Sequence, residues 1–202
     1  MIEIDKKFKK KLDNIIMERY MLHFTNNGYT PKDSRKLIYN ARDLTSDIDA
    51  SVRVVRIAGK FVEFDVGVEK EDLDKLIEKL SPIGPLDNIR HVIEEKIGKE
   101  QGITDGIFYF NNERFWECHE AFEGVWKQCF GREKEILQGI ILFAVAFAHA
   151  QEDDLRIGLG MLRRVLEKLG TSPSMYHSID IDRLRKKAVE MQKANNLIIF
   201  EI

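Results

Sequence analysis

One stretch of this sequence concentrates the residue types that do chemistry. From Phe110 to Trp126 it reads Phe-Asn-Asn-Glu-Arg-Phe-Trp-Glu-Cys-His-Glu-Ala-Phe-Glu-Gly-Val-Trp, which holds both tryptophans of the chain together with a histidine and four carboxylates. Read as one helix, about Asn112 to Phe130 with asparagine as its cap, it sets Phe115, His119, Glu123 and Trp126 on one stripe at spacings of four, four and three. An imidazole and a carboxylate then share a face walled by aromatic rings. Glu117 and Glu120 occupy the neighbouring stripe.

The next helix, about Glu133 to Gln151, carries Gln138, Leu142, Val145 and His149 on one stripe and is apolar on every side from Ile140 to Ala148, as the central helix of a bundle would be. If the two helices are antiparallel, His149 comes near the start of the first and can approach Glu113, Glu117 or Glu120. As a helix-terminal histidine it can equally interact with the backbone dipole. The expected site is a polar pocket of Glu117, His119, Glu120, Glu123 and His149, lined by Phe115, Trp116 and Trp126.

Two chemistries suit that set. In the first, a binding or assembly protein, the carboxylates hold the imidazole by hydrogen bonds, organise the bundle and border a ligand pocket. In the second, metal-assisted hydrolysis, His119 and His149 are ligands to zinc, manganese or iron, Glu123 is a ligand or orienter, and Glu120 is the general base acting on bound water. Two standard metal templates fail. His-Glu-x-x-His has Glu123 in place of its second histidine, and Glu-x-x-His has Trp116 and Ala146 where its glutamates belong. Histidines 23, 91 and 177 show no ligand spacing and read as surface or loop residues. Cys118 and Cys129, read on the same helix, stand ~16 Å apart at ~1.5 Å per residue, too far for a disulfide, and are expected as free thiols.

The elements that must position these residues fall into two halves. Tyr20, Leu22 and Phe24 alternate as a strand, and Thr30-Pro31 opens a helix that ends near Leu44. Val52 to Ile57 and Phe61 to Val68 form a hairpin around Ala58-Gly59-Lys60, Leu73 to Leu80 carry a helical stripe, and Ile89 to Ile93 return as a strand. The order β, α, β, β, α, β is that of a ferredoxin-like sandwich over residues 1–98. Its open face could bind RNA, and Phe61-Val62-Glu63-Phe64 echoes an RNA-recognition strand, but the basic-glycine-aromatic opening is missing and Glu63 and Asp65 repel phosphate.

After the charged, glycine-containing connection at Gly98 the chain becomes helical, a bundle over 99–202 built from the two helices above, Leu155 to Leu169, and Asp180 to Ala194. The apolar end Leu197 to Ile202 is expected as a strand added to a sheet edge, tying the halves together. At the other end, Ile4, Phe8, Leu12, Ile15 and Ile16 alternate with Lys6, Lys7 and Lys9 to Lys11 as an amphipathic basic helix. Its lysines form a solvated face rather than a docking surface for phosphate or lipid.

Charge narrows the partners. With 32 Lys plus Arg against 34 Asp plus Glu, the net charge of −2 draws the chain neither to nucleic acid nor to an anionic membrane. The longest apolar run falls short of the ~18 residues that suggest a membrane span, and no secretory signal pattern is present, so the expected setting is the cytoplasm. A second copy, another protein or a small molecule are the partner classes left.

The stretch Glu117-Cys118-His119-Glu120-Ala121-Phe122-Glu123-Gly124-Val125-Trp126, followed by Gln138-Gly139-Ile140-Ile141, Ala148-His149 and Gly158-Leu159-Gly160, resembles the domain of unknown function 309 family. The resemblance covers roughly the C-terminal half and implies a compact helical bundle. It carries no established reaction, although metal-dependent hydrolysis through its His and Glu residues has been suspected. Asn112-Glu113 replaces the usual asparagine, any residue, glycine opening, and Ile157 stands where an asparagine often precedes the glycine. Gly158 and Gly160 are expected to let helices approach closely.

Overall fold

The computed structural model describes residues 17–93, 97–171 and 173–202, so the basic helix expected at 4–16 lies outside the described residues. The chain divides into two compact units. Of the described residues, the first comprises 17–29, Arg35–Val55 and Lys60–Ile93, and the second Thr30–Ser34, Arg56–Gly59, 97–171 and 173–202.

The first unit is an antiparallel four-stranded sheet with two helices. Its strands are β1 (Glu18–Thr25), β2 (Ala50–Ile57), β3 (Phe61–Val68) and β4 (Leu86–His91), arranged β2-β3-β1-β4. The helices α1 (Ser34–Leu44) and α2 (Leu73–Leu80) follow β1 and β3. Period-two alternation built the sheet as read: Tyr20, Leu22 and Phe24 pair directly with Val66, Phe64 and Val62, all buried. Leu37 and Ala41 of α1 and Leu76 and Leu80 of α2 add to the same unit's buried apolar residues. Ser81 and Pro82 end α2 in a short 3-10 turn, Ser81–Ile83.

The second unit is helical: α3 (Lys99–Asn111), α4 (Phe115–Trp126), α5 (Gly131–Gln151), α6 (Leu155–Leu169) and α7 (Ile181–Ala194), with a small hairpin of β5 (Met175–Tyr176) and β6 (Ile179–Asp180) before α7. The sequence reading did not contain α3. Its glycines lower helix propensity, yet each sits at a close helix crossing: a Cβ on Gly102 would stand 2.6 Å from Val125 Cγ2, and one on Gly106 2.5 Å from Phe122 Cε2. α4 is shorter than expected, and Arg114, not asparagine, precedes it. Asn112 instead closes α3, its Nδ2 donating to the Phe108 carbonyl at 2.8 Å, and Glu113 turns the chain at φ +59°. Cys129 therefore lies beyond the end of α4, so the two cysteines do not share a helix; both are free and buried.

α4 and α5 run antiparallel, since Phe115 stacks on Phe147 at 4.8 Å while Trp126, at the other end, receives Lys134 Nζ 3.9 Å from its ring centre. Phe110, Phe115, Phe143 and Phe147 form the centre of the core. The end of the chain completes it. Residues 197–202 are not the strand expected; they run without regular structure, and Phe200 meets Phe110 and Phe143 at 5.5 Å each. Fully burying such a ring stabilises by roughly 1.5–3 kcal/mol, and Phe200, partly buried, gains a share of that without any strand ladder. Asn111 Oδ1 accepts from the Ile202 backbone N–H at 2.8 Å. Gly158 packs as expected, 2.4 Å separating an ideal Cβ there from the Ala146 carbonyl oxygen, whereas Gly160 faces open space and serves no close approach.

Candidate functional site: a histidine and carboxylate cluster on α4

α4 amphipathicity decides the fate of each expected site residue. Phe115, Cys118, Phe122 and Val125 turn into the core. That places Phe115 behind the site rather than on its wall. Glu117 is also turned inward, fully buried, and Arg114 one turn earlier engages it through both Nε and Nη2. A buried carboxylate held by a two-pronged guanidinium is neutralised within the fold.

The next face is different. His119, Glu120 and Glu123 are each partly exposed, and their ligand atoms all lie within 4.8 Å of one another. His119 Nδ1 stands 3.3 Å from Glu120 Oε1, and Nε2 stands 3.5 Å from Glu123 Oε2. Both separations exceed the ~2.7–2.9 Å of a charge-assisted hydrogen bond. The three groups are gathered but not closed on each other. Lys127 Nζ lies 3.3 Å from the other oxygen of Glu123. Nitrogen and oxygen donors at positions i, i+1 and i+4 of one helix can converge on a divalent cation after small side-chain rotations, leaving further coordination positions to water.

His149 does not join this group. It gathers instead with Glu152 and Asp154 at the turn between α5 and α6, again within 4.8 Å. Its Nδ1 is buried with no hydrogen-bond partner among the described residues. Glu152 is already committed, accepting from Arg56 Nε at 2.8 Å, residues 56–59 being part of this unit. Trp116 is half-buried with Arg56 Cζ 5.9 Å from its ring, and Trp126 packs against the core edge. Of the expected set, His119, Glu120 and Glu123 come together, while Glu117 and His149 take other partners. A cleft of about 360 Å³ in the same unit is lined by Pro31, Lys32, Ala150, Asp153, Leu155 and Leu197 among others, and by none of the expected pocket residues.

Two constellations escaped the sequence reading. At the start of α5, Glu133 accepts from Tyr176 Oη at 3.0 Å and pairs with Lys99 Nζ at 2.5 Å, and the Cys129 thiol also bonds to it. The Lys99 ammonium holds the Glu133 carboxyl below its ordinary range and is itself raised in return. Burial, then Glu133, pushes the Tyr176 hydroxyl up, and burial raises both thiols, Cys118 strongly. Neither cysteine is therefore an activated nucleophile.

In the first unit, His23 is not a surface residue: it is 2% exposed and its Nε2 shares a 3.0 Å hydrogen bond with Glu63, directly opposite on β3. Asn88 Nδ2 lies 3.4 Å from its other ring nitrogen. Beside this pair Asp65 accepts two bonds from Arg19, at 3.0 and 2.6 Å. The carboxylates that spoke against phosphate binding are thus internal counterions of the sheet.

Residues 103–161 match the family model described as domain of unknown function DUF309. No curated protein matches the chain. The DUF309 segment runs from α3 through the first half of α6 and contains both histidine clusters of the helical unit. The β-sheet unit lies outside it. Among the described residues, no helix is long and apolar enough to cross a membrane.

Proposed function

We propose that this is a binding protein, not a catalyst, whose helical unit holds a divalent cation between His119, Glu120 and Glu123. What carries the reading is the openness of that cluster: three donors within 4.8 Å of one another, part-exposed, the imidazole nitrogens standing 3.3 and 3.5 Å from the two carboxylates. A cluster serving only to brace the bundle resembles Glu117 with Arg114, buried and closed. A cation converts the loose group into a fixed surface feature able to take a carboxylate or phosphate of a partner as a further ligand. Two free thiols fit a reducing, cytoplasmic setting.

The first unit is, in the same proposal, a ferredoxin-like sandwich; its βαββαβ order and strand order β2-β3-β1-β4 support that topology. RNA binding on its sheet has less support, because every residue of β3, Glu63 and Asp65 included, is buried. Hydrolysis with Glu120 as base and both histidines as ligands has less support too, since His149 gathers with Glu152 and Asp154.

Elemental analysis and calorimetric titration with zinc and manganese, on untagged protein and on His119→Ala, test the proposal. The expected outcome is one ion per chain, lost in the variant, with the melting temperature of the metal-free proteins alike. Metal-free protein that takes up neither ion, and a variant that melts much earlier, would make the cluster architectural.

A further inference from the structure

β4 is an outer strand: its inner side pairs with β1, and among the described residues no strand pairs with its other side. Such an edge is a template for another strand, and proteins commonly blunt it with lysine or proline. β4, Leu86-Asp87-Asn88-Ile89-Arg90-His91, has neither. Leu86 and Ile89 are 37% and 42% exposed, and Ile93 just beyond is 54% exposed.

The register states which backbone groups face outward. Val92 N–H donates inward to the Arg19 carbonyl at 2.8 Å, and the ladder sets Arg90 opposite Met21 and Asn88 opposite His23. Inward and outward groups alternate in an antiparallel ladder, so the N–H and C=O of Ile89 and His91 point to the free side. Cross-strand neighbours also fix the faces: Ile89 and His91 share a face with Leu22 and Tyr20, Asn88 and Arg90 with His23 and Met21.

We propose that β4 pairs antiparallel with β4 of a second copy of this chain, about a two-fold axis at Ile89, joining two four-stranded sheets into one. The inference is independent of the cation site. With the axis at Ile89, Ile89 meets Ile89 of the second copy, Asp87 meets His91, and Asn88 meets Arg90. Every position faces its own chemical kind or its complement, and Ile89 exchanges both outward hydrogen bonds with its twin.

Neighbouring registers fail. An axis at Asn88 sets Asp87 against Ile89 and Leu86 against Arg90, while an axis at Arg90 sets that residue against itself. The His91 ring is already oriented, stacked on Tyr20 at 4.7 Å with Nε2 3.4 Å from Glu18. The register shift between His23 and Phe24, which leaves Asp87 as an extra residue, ends the new ladder at Asp87 and keeps it short.

The test is sedimentation velocity on the full chain up to about 100 µM, with two variants. Ile89→Pro removes an N–H that the fold itself does not use, and proline is tolerated at such an outward position. The wild type is expected to sediment as a dimer and Ile89→Pro as a monomer with an unchanged circular dichroism spectrum. Ile89→Cys is expected to form a disulfide-linked dimer on mild oxidation, since directly opposed Cα atoms stand ~5.5 Å apart and both native cysteines are buried; Ile93→Cys is expected to cross-link far less. A monomeric wild type over that range overturns the proposal, and so does a dimer that survives Ile89→Pro. Should Ile89→Pro fail to fold, the two cysteine variants decide, equal or absent cross-linking overturning it.

Discussion

The molecule places the same two side chains, histidine and glutamate, in two settings. In the sheet, His23 and Glu63 are each 2% exposed at the side chain, directly opposed on β1 and β3, and joined at 3.0 Å. On α4, His119 is 27% exposed and its carboxylates stand off at 3.3 and 3.5 Å. The first arrangement is buried and closed, and the second is part-exposed and open. The same two residue types thus take both forms, and chemical composition alone does not tell them apart.

The comparison can be broken most sharply in the sheet. Glu63→Ala removes the carboxylate bonded to the buried His23 ring and is expected to cost about 1–3 kcal/mol, read as a fall in the denaturant midpoint. A loss below about 1 kcal/mol would show that the pair is solvated in the folded state, and the contrast with α4 would dissolve.

Glu133 provides an intermediate case. Its folded-state pKa is depressed below the ordinary 4.5, chiefly by Lys99, so its contribution is present above that value and lost as pH falls through the folded value. Thermal melts of wild type and Glu133→Gln are therefore expected to differ at neutral pH and to converge as pH falls below 4.5 through the depressed folded-state value. A constant gap across that window would mean that the carboxylate charge contributes nothing there.

The smallest effect belongs to the α4 cluster. In metal-free protein His119→Ala is expected to change stability by under about 1 kcal/mol, as for exposed ion pairs. A cost matching that of Glu63→Ala would make the two settings one.

The same contrast explains what could be read in advance. The strands and the α4 cluster were legible because alternation and helical spacing are local: His119 and Glu123 are one turn apart in any α-helix. Closure of Glu63 on His23 depends on a register that brings together positions 40 residues apart, and nothing near His23 announces it. α3 was hidden by Gly102 and Gly106, whose use is only apparent once Val125 and Phe122 lie against them. The apolar end at 197–202 was legible as material needing burial. What it found was a cluster of phenylalanine rings rather than a sheet edge, a choice that hydropathy cannot make. Gly158 and Gly160 look alike in sequence, and only the first meets a neighbouring backbone.

Glu133 also says something about how the helical unit comes apart. One carboxylate receives Lys99 from the first residue of α3, the Cys129 thiol from the α4–α5 turn, and Tyr176 from the small hairpin. Two segments remote in sequence, at Lys99 and Tyr176, thus share a single fastening, and releasing one exposes the acceptor that restrains the other. That end of the bundle should open as one cooperative unit, while the aromatic centre, bound by rings contributed from α3, α4, α5 and the chain end, stays shut.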